Sequence, residues 1–188
     1  MRIDNRAFAG RSTKSYLAEG RMEDLLADFQ EGDLLLMQFG HNDANQEKEE
    51  RYVTPAQFQD KLLEGFIRPV RARGGRPVLV TPLAMRVFDE QGICPPSFQE
   101  YREAMMALGA AEDVPVIDLG RMSADFNTRI GAEACKSLYL WVPAGIWPDR
   151  PEGSTDDAHI QYTGAHIYAG LVAKELRSLG FLCDRRTV

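Results

Sequence analysis

Three short apolar runs organise the chain: residues 33–39 (DLLLMQF), 77–82 (PVLVTP) and 114–119 (VPVIDL). Each is continuous rather than alternating. Strands of a parallel sheet read this way, because helices cover both of their faces. Helical patterns lie between and after them. Residues 54–73 open with Thr54-Pro55, a capping residue followed by proline at the first helical position, and end at Gly74-Gly75. Phe58, Leu62, Phe66 and Ile67 fall on one side of that helix. Residues 97–111 begin with Ser97 and Glu100 at capping-box spacing. A last helix is expected over 164–179, with Thr163 as its cap and Gly180 as its stop.

Strands alternating with helices predict right-handed crossovers and a single α/β domain over residues 1–188, a three-layer α/β/α sandwich. Residues 138–153 (LYLWVPAGIWPDRPEG) read as one long irregular surface loop. Residues 2–8 read as the end of a further strand. Ligands of such sheets bind beyond the carboxyl ends of the strands. Gly40-His41-Asn42-Asp43 follows the first run directly, Gly10 follows residues 2–8, and Asp156-Asp157-Ala158-His159 stands just before the last helix.

Composition narrows the chemistry. The net charge of −6 and the lack of a Lys/Arg stripe argue against nucleic acid as a partner. Arg68, Arg71, Arg73 and Arg76 cluster where a helix should end, and cations there favour the macrodipole. Cys94, Cys135 and Cys183 are widely spaced and form no C-x-x-C pair, so neither a disulfide framework nor a zinc site is expected. A reduced, cytoplasmic setting is the simplest expectation, with secretion left open for a longer natural N-terminus. No apolar run approaches the ~20 residues of a membrane span, so no membrane partner is expected. His166 follows His159 by seven residues, a spacing outside the usual metal patterns, and no metal is expected.

Acyl transfer needs a nucleophile, a base oriented by an acid, and donors aimed at the developing oxyanion. Asp156 and His159 suit the second requirement, with Asp157 a rival to Asp156. Gly10 and Asn42 suit the third, through a backbone N–H and a carboxamide. Ser12, Thr13 and Ser15 lie near Gly10, either as a helix cap with Tyr16, Leu17 and Met22 packed inward or as a substitute nucleophile; capping is the expectation. His41 either contacts substrate or orders its loop. Trp141 and Trp147 either stack on a sugar ring or pack.

At these residues the sequence resembles the SGNH (GDSL-like) hydrolases, in particular their rhamnogalacturonan acetylesterase branch. Residues 5–15 (NRAFAGRSTKS) match the family's second block, 38–43 (QFGHND) the third and 156–159 (DDAH) the fifth. The resemblance implies a flavodoxin-like parallel sheet in the order 2-1-3-4-5. It also implies His159 as base, Asp156 as its partner, and Gly10 and Asn42 as oxyanion donors. Substrate contacts are expected from His41, Trp141 and Trp147, with acetylated carbohydrate or another small ester as substrate and no cofactor. The family's Gly-Asp-Ser block has no counterpart in the nine residues before Gly10. The first strand, its helix and the nucleophilic serine are therefore expected to be missing from this chain. A chain of this kind would be an N-terminally incomplete esterase or a non-catalytic carbohydrate- or protein-binding homologue. The gap in the sheet leads to the expectation of a homodimer.

Overall fold

The computed structural model describes residues 2–182. Cys183 lies outside them. The chain divides into two compact units: residues 1–82 with 98–116, and residues 83–97 with 117–188. Each is described by itself.

In the first unit the apolar runs become strands β1 (Leu34–Gln38), β2 (Arg76–Val80) and β3 (Val116–Ile117), lying side by side in the order β1-β2-β3. The chain passes to the second unit within β3. β1 and β2 are parallel, in register from Leu34↔Arg76 to Gln38↔Val80. β2 is the middle strand, and its Val78 and Leu79 are fully buried, as a run without alternation requires. These three strands correspond to positions 3, 4 and 5 of the expected order.

Residues 2–8 form no strand, contrary to expectation. In the expected order their neighbour is the first strand, which no described segment supplies. Their polar groups are met locally instead: Ala7 N–H donates to Asn5 Oδ1, and the Arg6 guanidinium bonds Asp4 and Asp28. The other side of β1 has no strand partner among the described residues, and Leu36 on β1 is 43% exposed.

Helices α1 (Thr13–Ala18), α2 (Arg21–Asp28), α3 (Pro55–Leu62), α4 (Arg68–Ala72) and α5 (Gln99–Glu112) complete this unit. Thr54 caps α3 in a full capping box with Gln57. Phe58, Leu62, Phe66 and Ile67 are all buried, in one core with Tyr16, Met22, Met37 and Met105. The expected single helix over 54–73 is broken by a π-helical turn at Leu63–Ile67. Pro69 is the physical reason: it has no N–H for the Gly65 carbonyl and its ring crowds that carbonyl, so the winding loosens one turn earlier. Ser97 does not cap α5. Its hydroxyl accepts from the Met85 N–H, and the cap position is taken by Phe98 in a left-handed conformation, φ 53°.

The second unit holds α6 (Leu119–Cys135, interrupted at Gly131), β4 (Tyr139–Val142), β5 (Ser154–Ile160) and α7 (Tyr162–Ser178). α6 was not anticipated. The expected loop over 138–153 is in part strand: β4 pairs antiparallel with β5, and only the tip between them is irregular. α7 starts two residues before its expected start, with Gln161 at the cap position in place of Thr163. Its end is a Schellman turn. Gly180, at φ 75°, donates to Arg177 O and Phe181 N–H reaches Leu176 O. The unit is stitched by a buried polar cluster. The Asn127 carboxamide donates to the Tyr139 hydroxyl at 2.9 Å and accepts from the Tyr168 hydroxyl at 2.7 Å. Tyr139 in turn donates to Ala84 O. Burial raises both phenols above their ordinary range, that of Tyr139 to about 12. Cys94 and Cys135 are buried free thiols of this unit. No described helix is long and apolar enough to cross a membrane.

Candidate active site

The first unit carries Gly10 and Asn42, the residues expected to donate to an oxyanion. Gly10 sits at φ 75° and Gly40 at φ 125°, where a side chain is strained. At Gly40 space is also short: a Cβ would lie 2.5 Å from Pro82 Cγ. Asp43 ties the two glycine segments together. Its carboxylate accepts from Thr13 N–H (2.8 Å), Thr13 Oγ1–H (2.5 Å) and Gly40 N–H (3.0 Å), and the residue is fully buried. Burial pushes its pKa up, against the pull of those three donors, and the net shift is upward. In the sequence alone Asp43 stands out only as a motif position. Its clamping role depends on Thr13, thirty positions away.

Asn42 lies between the two segments. Its Nδ2 donates to Arg11 O at 3.1 Å and its Oδ1 accepts from the Arg51 guanidinium at 3.4 Å. The carboxamide is thus oriented with its N–H₂ toward the Gly10–Arg11 segment. Ser12 caps α1 in a reciprocal capping box with Ser15, and is fully buried. Tyr16 and Met22 are buried and Leu17 packs on the same core. His41 packs its ring on Phe98, with centroids 4.6 Å apart, which orders the loop after β1.

The second unit carries Asp156 and His159. The β4–β5 ladder steps from Leu140↔Asp156 to Tyr139↔Ile160, so residues 157–159 bulge out of it. Bulges of this kind re-aim side chains. Within the bulge Asp156 Oδ1 accepts from Ala158 N–H (2.8 Å) and His159 N–H (2.9 Å), while Oδ2 lies 2.7 Å from His159 Nδ1. Burial alone would raise the Asp156 pKa, but the two backbone N–H groups and the His159 ring outweigh it and lower it. A carboxylate at Nδ1 leaves Nε2 as the proton acceptor, and the His159 side chain is 79% exposed.

Asp157 is committed elsewhere. Its Oδ1 accepts from Arg86 (2.7 Å) and from Trp141 Nε1–H (2.8 Å). The Arg86 guanidinium and the Lys136 ammonium both lie over the Trp141 ring, at 4.4 and 4.7 Å from its centroid. Trp141 is therefore packed within its own unit. Trp147 stands at the hairpin tip, bridged to Arg150 and beside Ile146, which is 62% exposed. The structure thus joins Asp156 to His159, and Asn42 to the Gly10–Arg11 segment through the Arg11 carbonyl. No group of three or more His, Cys, Asp or Glu side chains fit to hold a metal is found among the described residues.

The GDSL-like Lipase/Acylhydrolase family matches residues 1–165. Rhamnogalacturonan acetylesterase RhgT of Bacillus subtilis (strain 168) is 38% identical over 178 residues, spanning 95% of this chain and 75% of that protein. The probable rhamnogalacturonan acetylesterase YesY of the same organism is 36% identical, spanning 96% and 78%. The crystal structure of the Bacillus subtilis protein YXIM superposes with a TM-score of 0.80 at 29% identity, covering 95% of this chain and 46% of that one. A parallel sheet flanked by helices, a carboxylate-held histidine and a family match over most of the sequence lead to one conclusion: the chain belongs to the GDSL-like lipase/acylhydrolase family.

Proposed function

We propose that this protein removes O-acetyl groups from pectic, rhamnogalacturonan-type carbohydrate. The observation that carries the reading is the Asp156–His159 pair, at 2.7 Å in a strand bulge with Nε2 left to take a proton. The names of RhgT and YesY support the substrate class. In this reading His159 is the general base, Asp156 holds its tautomer, and the Gly10 N–H and Asn42 Nδ2 stabilise the tetrahedral oxyanion. Ser12 and Ser15 satisfy each other at the start of α1, so the nucleophile is assigned to neither. Acetate release from acetylated pectic oligosaccharides, with an aryl acetate as a second substrate, tests the reading. His159→Ala is expected to lower kcat by about 10³-fold or more. Saturable labelling by a serine-directed phosphonate would identify the nucleophile. Tight oligosaccharide binding with no turnover and no labelling would overturn the enzymatic reading in favour of a carbohydrate-binding homologue. The unpaired side of β1 supports a homodimer as the assembly. A single-chain mass in sedimentation at micromolar concentration would rule that out.

A further inference from the structure

Beside the proposed oxyanion donors stands a cation with donors to spare. Arg51 lies in the first unit, and its guanidinium sits 3.6–3.8 Å from where a Gly10 Cβ would be. It helps line a concave pocket of about 150 Å³ with Gly10, Arg11, Ser15, Glu19 and Glu50. The other charges there are already matched. Glu19 accepts from Arg11 at 2.9 Å and from Arg21 at 2.5 Å, and these two guanidinium groups hold its carboxylate below the ordinary range. Arg51 has weaker company. Among the described residues its side-chain contacts are one long hydrogen bond to the neutral Asn42 carboxamide, 3.4 Å, and a 3.7 Å approach to Glu50, a carboxylate that is 64% exposed. An exposed pair at that distance is worth little. A guanidinium has five N–H donors, and most of those on Arg51 are uncommitted.

We infer that Arg51 is a specificity residue that binds a uronate carboxylate of the substrate beside the Gly10–Asn42 donors. Pectic chains carry such carboxylates, and a guanidinium fork matches a carboxylate in bidentate fashion. The same contact places the acetylated ring relative to Gly10, so charge recognition and positioning come from one side chain. Glu50 acts as a weak internal competitor that an incoming carboxylate displaces. This inference rests on the pectic substrate reading above.

Isothermal titration with two acetylated pectic oligosaccharide preparations of equal length tests it, one with free uronate carboxylates and one with methyl-esterified uronates. The free form is expected to bind about tenfold more tightly, an advantage that shrinks as salt is raised. Arg51→Gln is expected to cut that preference to about twofold or less, and Arg51→Lys to keep only part of it, since an ammonium lacks the fork. Glu50→Gln is expected to increase the preference. Equal affinity for both preparations, or a preference that survives Arg51→Gln, overturns the role of Arg51 and leaves the substrate class standing. Failure of both preparations to bind overturns the pectic reading and this inference together.

Discussion

Two carboxylates, one in each unit, hold the candidate residues of their own unit in opposite ways. Asp43 is fully buried and joins segments thirty residues apart, with Thr13 on one side and Gly40 on the other. Asp156 stays partly exposed, and its bonds among the described residues are to Ala158 and His159, within three residues of itself. The difference follows from what each must hold. In the function proposed above, oxyanion donors act through fixed positions, and a buried clamp between two glycine turns fixes the segments that carry them. The base of that proposal must exchange protons with solvent and substrate, and Asp156 in its local bulge leaves the His159 imidazole open. The pKa shifts divide the same way, Asp43 upward and Asp156 downward.

The largest expected effect is on the buried clamp. Asp43→Ala strands the Thr13 and Gly40 N–H groups in a site closed to water, and should cost about 3 kcal/mol in urea unfolding. Thr13→Val keeps the backbone N–H bond and loses only the hydroxyl, so about 1–2 kcal/mol is expected. Asp156→Ala resembles the loss of a helix cap and should cost about 1 kcal/mol while abolishing most esterase activity. A stability loss for Asp156→Ala as large as that for Asp43→Ala would break the comparison, since it would make the bulge as structural as the clamp.

The comparison also explains what could be read from sequence. Features set by near neighbours were legible: the three apolar runs, the Thr54 cap and the Gly180 stop. Features set by distant partners were not. Ser97 has capping spacing to Glu100, but its hydroxyl is taken by the Met85 N–H. Asp157 looks equivalent to Asp156 until Arg86 and Trp141 claim it. The β4–β5 hairpin was missed because prolines and glycines between its strands read as loop, while Tyr139, Leu140, Trp141 and Val142 are too few to show a strand period. Arg51 carries no local signal at all. Its interest comes from lying against Gly10, forty-one positions earlier.

The smallest expected effect concerns acid. The folded pKa of Asp156 lies below the ordinary 3.8, so its bonds add stability above that value and lose it as pH falls through the folded pKa. Asp43 runs the other way. Its folded pKa lies above 3.8, so the folded chain holds this proton more tightly than the unfolded one. Its contribution is most favourable below 3.8 and declines as pH rises to the folded pKa. The two aspartates act with opposite slopes in adjacent windows on either side of 3.8, and single variants should separate them. Asp156→Asn should flatten the loss of stability below pH 3.8, while Asp43→Asn should steepen the rise of stability just above it. Urea unfolding from pH 3 to 6, read with the carboxyl carbon shifts of both residues, checks the pair. Slopes of the same sign would mean that the three donors around Asp43 outweigh its burial, and the contrast between clamp and bulge would then lie in geometry alone.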